Sequence, residues 1–193
     1  MDTRQYYEAY DDRYRQVHGE DLRWFSSAPS AIVGQVLARY GISTDATILE
    51  LGCGEGRDAA FLLRKGFRVT ATDISREAIR YCQVQNPRFA ERFQVLDCVA
   101  GQMLEKFDFI YAVAVVHMLV ENAHRAGFYR FFREHLTEGG IALICTMGDG
   151  TVERQSDIST AFTLQERTHA ESGKTLSLAG TSCRMVSWET FLR

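Results

Sequence analysis

The stretch ILELGCGEGRDAAFLLRKGFRVTATDIS, residues 48–75, decides the fold. It contains an apolar run, a turn with three glycines, a helical pattern of apolar residues and a second apolar run. This order predicts a strand over Thr47–Leu51, a helix that continues to about Lys65 and a strand over Phe67–Thr72. Since a strand, a helix and a second strand in succession form a parallel unit with a right-handed crossover, the stretch indicates an α/β domain.

The same alternation continues toward the C-terminus. It predicts a helix over 76–85, a third strand over Phe93–Leu96, a fourth over Phe107–Val113, a helix over 121–136 and a fifth strand over Ile141–Thr146. Alternating strands and helices place helices on both faces of a sheet. We therefore expect a Rossmann-like, doubly wound, mostly parallel α/β fold.

Composition describes an ordinary globular protein and excludes several classes of function. The net charge is -3 and the pI about 6.0, which disfavours nucleic acid as a partner because nucleic-acid-binding proteins carry a basic surplus. No apolar run is long enough to span a membrane, and the N-terminus is polar, so we expect a cytoplasmic protein. The cysteines are odd in number and never spaced C-x-x-C, which predicts free thiols and no metal site.

The turn after the first strand is the first candidate for ligand binding. Gly52, Gly54 and Gly56 follow a G-x-G-x-G spacing. Glycine lets the backbone turn sharply and approach a ligand closely, and the helix that follows presents free amide groups. A dinucleotide fingerprint has the spacing G-x-G-x-x-G, whereas Arg57 stands at the sixth place here. The spacing therefore disfavours a nicotinamide cofactor.

Two acids follow at the ends of the next two strands. Asp73 ends the second strand, where a carboxylate can bind both hydroxyls of a ribose, and Asp97 follows the third strand, where it can meet the amino group of an adenine. The carboxyl ends of neighbouring parallel strands meet at one edge of a sheet. The turn and the two acids together predict a nucleoside site at this edge.

These segments resemble the class I S-adenosylmethionine-dependent methyltransferases. Residues 48–75 are similar to the first two motifs of that family, KFDFIYAVAVVHML (106–119) to its fourth-strand motif and FFREHLTEGGIALICTM (131–147) to its fifth-strand motif. The G-x-G-R-D variant is similar to small-molecule methyltransferases of the tellurite-resistance and thiopurine type. The resemblance covers roughly residues 45–147.

The resemblance implies methyl transfer from S-adenosylmethionine to a small-molecule acceptor by in-line displacement, with S-adenosylhomocysteine as the product. It implies that the turn surrounds the methionine part, that Asp73 binds the ribose and that Ile74 stacks on the adenine. His117 matches a position beside the acceptor and is the candidate base. The residues implied in cofactor binding are Tyr14, Glu50, Gly52, Cys53, Gly54, Gly56, Asp73, Ile74, Asp97, Cys98 and Ala114.

Structural interpretations of the same residues stay open. Glu50 can orient the turn, Asp97 can cap the segment that follows it, and His117 can be a hydrogen-bonded structural histidine. Arg57 and Asp58 are interpreted as a pair that shapes the turn. Two other functions also remain: a nicotinamide-dependent oxidoreductase, and a nucleoside-binding module without catalysis.

We expect one domain over residues 1–193. Residues 1–44 form an N-terminal helical cap, in which Tyr7, Tyr10, Tyr14 and Val17 recur at helical spacing. Residues 45–147 form the cofactor-binding core. Residues 148–186 form a lid or hairpin on the acceptor side, and residues 187–193 begin a final helix.

Two alternatives stay open for the end of the sheet. Complete members of the family have seven strands in the order 3-2-1-4-5-7-6, and five are counted by residue 146. Either a hairpin of Phe162–His169 with Lys174–Val186 replaces the last two strands, or the chain is truncated before them. The second alternative is favoured, and it implies either a homodimer that covers the open edge or an unstable fragment.

Overall fold

The computed structural model describes residues 4–24 and 28–191, and within them it contains a five-stranded parallel sheet. The strand order is β3-β2-β1-β4-β5, which confirms the predicted Rossmann-like fold and its order. The strands are β1 (Thr47–Leu51), β2 (Arg68–Asp73), β3 (Phe93–Val95), β4 (Phe107–Val113) and β5 (Leu136–Cys145).

Helices occupy the positions that the apolar periodicity predicts. They are α1 (Ala9–His18), α2 (Ala31–Arg39), α3 (Arg57–Arg64), α4 (Arg76–Gln85), α5 (Asn122–His135) and the short α6 (Trp188–Phe191). A 3₁₀ turn, Tyr6–Glu8, precedes α1, and others follow α4 and β4. Leu192 and Arg193, which were expected in the final helix, lie outside the described residues. No helix among the described residues is long and apolar enough to cross a membrane.

Successive residues of the central strands pack into two different hydrophobic cores, one on each face of the sheet. Ile48 and Phe109 pack on the side of α2, α3 and α4, whereas their neighbours Leu49 and Ile110 pack with the aromatic residues of α5. All four side chains are fully buried. Side chains alternate between the faces of a strand, so a continuous apolar run is the pattern that a sheet covered on both faces requires.

The fifth strand begins earlier than expected. The prediction was Ile141–Thr146, but the strand extends over Leu136–Cys145 with a register irregularity opposite Phe107–Phe109. Leu136 pairs with Phe107, and pairing resumes at Ile141 after the glycines that were expected to separate helix from strand. The glycines therefore interrupt the register of the strand and do not precede it.

The C-terminal segment forms a hairpin that lies apart from the large sheet. The short strand β6 (Arg154–Gln155) pairs with β9 (Arg184–Met185), and β7 (Leu164–Thr168) pairs with β8 (Thr175–Ala179), both antiparallel. Neither pair joins the five-stranded sheet. The hairpin is thus real, but it does not take the place beside β5 that one alternative gave it.

Helix α1 carries the hairpin. The guanidinium of Arg13 donates two hydrogen bonds to the carbonyl oxygen of Ala179, at 3.0 and 2.7 Å, and the amide of Ala179 donates to the side-chain oxygen of Gln16 at 2.6 Å. Val17 packs with the buried leucines of β8, Leu176 and Leu178. Burial of these three side chains stabilises the contact by about 1.5–3 kcal/mol each. The hairpin therefore packs against helix α1 of the N-terminal cap.

Candidate active site

A cavity opens at the carboxyl ends of β1, β2 and β3, where the sequence predicted the nucleoside site, and it extends to the end of β4. The turn after β1 forms its floor, residues after β2, β3 and β4 form its sides, and the N-terminal segment closes it with Tyr7, Tyr10 and Tyr14. Ten of the twelve predicted site residues line it: Tyr14, Glu50, Gly52, Cys53, Gly54, Asp73, Ile74, Asp97, Cys98 and Ala114.

Glycine is required at two positions of the turn. Gly52 and Gly54 have φ values of +71° and +53°, which L side chains rarely adopt. A Cβ at Gly52 would lie 2.3 Å from Cγ2 of Val115, and one at Gly54 would lie 2.6 Å from the hydroxyl of Tyr14. The turn therefore brings bare backbone against the wall of the cavity, as a close-fitting ligand site requires.

Asp73 fastens the end of β2 to the turn. Its Oδ2 accepts a hydrogen bond from the amide of Gly54 at 2.8 Å, and its Oδ1 accepts one from the amide of Ser75 at 2.8 Å. Burial raises the pKa of Asp73 above its usual value, and these amide bonds oppose that shift. Because each carboxylate oxygen accepts more than one hydrogen bond, Asp73 keeps acceptor capacity toward the cavity that it lines.

Asp97 both caps the segment after β3 and lines the cavity. Its Oδ1 accepts from the amide of Val99 at 2.8 Å, which caps the segment after β3. Its Oδ2 accepts from the hydroxyl of Tyr7 at 3.2 Å, and the residue lines the cavity. The capping interpretation and the ligand-facing one are therefore compatible in this fold.

Glu50 is a buried carboxyl with an unused oxygen. Its relative exposure is 3%, and its Oε2 has no hydrogen-bond partner within residues 4–24 and 28–191. Burial raises the pKa of Glu50 to about 8, and the nearby charge of Asp58 adds to this. A buried oxygen without a partner is costly, so a cationic or hydrogen-donating ligand in the cavity would stabilise it.

Helix α1 is held over the cavity by hydrogen bonds to the start of α4. Oδ1 of Asp11 accepts from the hydroxyl of Ser75 at 2.8 Å and from the amide of Glu77 at 2.9 Å. Tyr14, on the same helix, is fully buried, and burial raises the pKa of its phenol well above the usual value. The phenol of Tyr14 is therefore neutral at physiological pH.

Two predicted residues are not among those lining the cavity. Gly56 lies under the turn, where a Cβ would meet Sγ of Cys82 at 2.8 Å. His117 is buried at 5% exposure, its Nδ1 has no partner among the described residues, and burial lowers its pKa to about 4, with Arg125 contributing. The catalytic role of His117 stays a prediction.

Several lining residues were missed by the sequence reasoning. Leu96, Val99, Val115, Met118 and Leu119 give the cavity an apolar wall. Their signal was weak, because an apolar residue after a strand is equally typical of ordinary core. Tyr7 and Tyr10 belonged to the predicted helical stripe, but spacing alone did not separate packing from lining.

Arg57 and Asp58 both bind Ser30, the residue before α2, and both line the cavity. Nη2 of Arg57 donates to the hydroxyl of Ser30 at 3.0 Å, and the amide of Ser30 donates to Oδ1 of Asp58 at 2.5 Å. The interpretation of this pair as a structural one is thus supported. Among the described lining residues, Arg57 is the one basic side chain beside five acids: Glu50, Glu55, Asp58, Asp73 and Asp97.

A metal site has no support in the part of the chain that is described. No group of three or more histidine, cysteine, aspartate or glutamate side chains is arranged to hold a metal ion within residues 4–24 and 28–191. The parallel sheet, the glycine turn and the acids at consecutive strand ends instead define a Rossmann-like nucleoside-binding domain.

Comparison with known proteins finds similarity to methyltransferases. A family model described as a methyltransferase domain matches residues 49–142. A probable S-adenosylmethionine-dependent methyltransferase, TehB of Haemophilus influenzae, is 29% identical over 119 residues, which are 60% of this chain and 41% of that protein. The ubiquinone biosynthesis O-methyltransferase of Rickettsia prowazekii is 27% identical over 119 residues, 60% of this chain and 46% of that protein. The chain thus spans less than half the length of these relatives.

Solved structures share the fold at low identity. The CcbJ methyltransferase of Streptomyces caelestis superposes with a TM-score of 0.66 at 16% identity, covering 96% of this chain and 84% of that one. The glycopeptide N-methyltransferase MtfA in complex with sinefungin gives 0.62 at 20% identity, covering 87% and 74%. Residues 49–142 are thus similar to a methyltransferase domain, and the relative TehB is a probable S-adenosylmethionine-dependent methyltransferase.

Proposed function

We propose that this domain transfers a methyl group from S-adenosylmethionine to a small-molecule acceptor and releases S-adenosylhomocysteine. One observation carries the proposal: Glu50 in the last two residues of β1, Asp73 at the end of β2 and Asp97 after β3 line a single cavity together with the glycine turn. The structures of MtfA with S-adenosylmethionine and with S-adenosylhomocysteine support the choice of ligand for a domain of this fold.

The charges of the cavity fit this cofactor. S-adenosylmethionine presents two cationic groups, the sulfonium and the ammonium, and one carboxylate. Glu50 is mostly protonated at neutral pH because burial raises its pKa to about 8, but four further acids and one arginine line the cavity. The balance of charge therefore favours a cationic ligand with a single anionic group. The unused oxygen of Glu50 is suited to the ammonium group, and Arg57 to the carboxylate.

The nucleoside end has its own set of residues in this proposal. Asp73 would accept hydrogen bonds from the ribose hydroxyls. Ile74 would stack on the adenine, while Asp97 and Cys98 would face its edge. Gly52, Gly54 and Cys53 would contact the methionine part through the backbone, with Ala114 and Tyr14 beside them. Gly56 would act indirectly, by holding the turn.

When bound, the cofactor supplies a methyl group on an electrophilic sulfonium. The residues of this chain then have to hold the acceptor in line with that methyl group, within about 3–3.5 Å, and exclude water. Tyr10, Met118 and Leu119 line the cavity and are suited to exclude water. Tyr10 also interacts with Thr181, so the segment proposed as a lid reaches the cavity through this tyrosine.

The acceptor that fits best is one that needs no strong base. His117, with a pKa of about 4 and a position outside the lining set, would be a weak base at neutral pH. Glu50, with a pKa of about 8, is mostly protonated there. A thiolate or an amine with a free lone pair therefore suits this cavity better than an aliphatic hydroxyl.

Calorimetry and a methyl-transfer screen test the proposal. The chain should bind S-adenosylhomocysteine and should not bind NADH. It should also transfer a labelled methyl group to at least one compound from a panel of small thiols, amines, phenols, carboxylic acids and chalcogen oxyanions. Binding of NADH alone would favour the oxidoreductase alternative, and cofactor binding without transfer would favour the non-catalytic module.

The location and assembly that we propose follow from two further observations. The five cysteines are free thiols, which is typical of a reducing compartment and supports a cytoplasmic location. Within the described residues β5 has a strand neighbour on one side, and an apolar groove beside it is lined by Leu143, Cys145 and Trp188. This edge would be the contact of a homodimer, which sedimentation over a range of concentrations can test.

A further inference from the structure

His18 lies where α1, the glycine-rich turn and α4 meet. Its Nε2 is 3.1 Å from Oε1 of Glu55 in the turn, and its Nδ1 is 2.8 Å from Oε1 of Glu77 in the first turn of α4. The side chain is 6% exposed, and its ring stacks on that of Tyr81 with centroids 4.3 Å apart. One imidazole therefore bridges three elements that are separate in the sequence.

Both ring nitrogens face a carboxylate, and this geometry selects one protonation state. A neutral imidazole has one N–H, so its other nitrogen would direct a lone pair at a carboxylate oxygen. The imidazolium donates from both nitrogens and forms two charge-assisted hydrogen bonds. Burial lowers the pKa of His18, but the hydrogen bonds and charges of Glu55 and Glu77 outweigh burial, and the pKa lies above its usual value.

The remaining groups around the ring do not compete for its protons. Tyr81 of α4 presents its ring face, and Tyr14 of α1, the helix that also carries His18, lies at a tilted angle 5.8 Å away. Arg80 lies beyond Glu77 and binds that carboxylate through two nitrogens, at 2.8 and 2.6 Å. Among the described residues, the charges that face His18 directly are therefore those of the two glutamates.

The bridge connects with the cavity on two sides. Glu55 lines the cavity, and its Oε1 also accepts from the backbone amide of Trp24 at 2.7 Å. On the other side, α1 carries Tyr10 and Tyr14, which form part of the cavity wall. A change at His18 would thus act on the turn and on the covering helix at the same time.

We propose that His18 is a positioning residue whose imidazolium clamps the end of α1 to Glu55 and Glu77 and so closes the cavity around the cofactor. The inference rests on the proposed function, because it concerns binding in the same cavity. A closed form that binds a proton more tightly than the open form is favoured at low pH. Affinity is therefore highest below the ordinary histidine pKa of about 6.5 and falls as the pH rises through the raised pKa of the clamped ring.

Calorimetric titration with S-adenosylhomocysteine tests this clamp. The wild type is compared with H18Q from about pH 5.5 to about pH 9, and the ratio of their affinities is followed, because the contribution of Glu50 is common to both proteins and cancels. The ratio should be about tenfold at the acidic end and approach one at the alkaline end. A ratio that stays constant with pH would overturn the proposal, since a merely structural role would give that result.

E77Q supplies a second variant that does not touch the cavity. It keeps a hydrogen-bond acceptor for Nδ1 but removes one charge, so the fall in affinity should move to lower pH. H135Q is the control, because His135 is also a buried histidine at the end of a helix, but it bonds Met103 and Phe131, which do not line the cavity. An E77Q profile identical to that of the wild type would contradict the clamp.

An NMR titration of the His18 ring in the ligand-free protein separates the two hypotheses. If the protein binds no S-adenosylhomocysteine, the proposed function fails. The clamp is still tested, because the ring should titrate above the ordinary histidine value and E77Q should lower its midpoint. If the ligand binds but the midpoint of His18 is ordinary, the clamp fails and the proposed function stands.

Discussion

Helix α1 has two neighbours of different character, the cavity and the C-terminal hairpin. Toward the cavity it presents Tyr10 and Tyr14, beside backbone turns and buried carboxylates. Toward the hairpin it presents Arg13, which binds the carbonyl of Ala179, and Val17, which packs on the leucines of β8. Both contacts are buried.

The two neighbours differ in whether their buried polar groups have hydrogen-bond partners. On the cavity side Glu50 has an oxygen without a partner among the described residues, and the turn is held in left-handed backbone conformations. On the hairpin side Arg13 and Gln16 satisfy both the carbonyl and the amide of Ala179. Buried polar groups without partners and glycine turns that approach a cavity closely are typical of ligand sites, whereas satisfied polar groups are typical of packing.

The largest effect is expected on the cavity side, from Asp73→Ala. The change removes an acceptor for two ribose hydroxyls, and each charge-assisted hydrogen bond is worth about 1.5–3 kcal/mol, so affinity for S-adenosylhomocysteine should fall roughly a hundredfold or more. Calorimetry measures the loss. Asp108→Ala is the control, because Asp108 binds Thr47 at the opposite end of the strands. Unchanged affinity in Asp73→Ala would refute the ribose assignment.

The second-largest effect is expected from Gly52→Ala, which should lower both the stability of the domain and its affinity for the cofactor. The new Cβ meets Val115 at 2.3 Å and has to adopt a φ of +71°. Overpacking of about 1–3 kcal/mol adds to a backbone cost of about 1–2 kcal/mol. Gly41→Ala has a similar φ of +63° but nothing within 4 Å of the Cβ, so it isolates the backbone cost. If urea denaturation gave the same loss in free energy of unfolding for Gly52→Ala and Gly41→Ala, the close approach to Val115 would not matter.

Arg13→Ala should lower stability and leave cofactor binding nearly unchanged. The variant leaves the carbonyl of Ala179 without its two buried donors, at a cost of about 1–3 kcal/mol in free energy of unfolding. Arg15→Ala on the same helix removes only exposed ion pairs with Asp11 and Asp12 and should cost less than about 1 kcal/mol. If Arg13→Ala weakened binding as much as Asp73→Ala, the two neighbours of α1 would not be separable.

The smallest effect is a pH dependence from Glu50. Burial raises its pKa to about 8, and a bound ammonium group favours the charged carboxylate, so affinity should rise by up to about tenfold as the pH passes through 8. Glu50→Gln should abolish this rise, which calorimetry in H18Q can follow without the opposing effect of His18. The raised pKa also means that the folded state loses stability as the pH rises from 4.5 to about 8.

The sequence was sufficient for the core because its signals are local. The strands β1 to β4, the turn glycines and the two acids at strand ends were all found from runs and spacings of a few residues. Short right-handed connections then leave few ways to order such strands. Positions at the carboxyl ends of strands follow from that order, which is why Asp73 and Asp97 were predicted to line one cavity.

Tertiary structure alone decided the rest, because it depends on pairs that are distant in the chain. Arg13 and Ala179 are 166 residues apart, and their contact sets the hairpin on α1 and not beside β5. His18 is 37 residues from Glu55 and 59 from Glu77, and no spacing rule connects them. Local patterns report which face of an element is apolar, but the partner of a polar side chain is fixed only when packing brings the elements together.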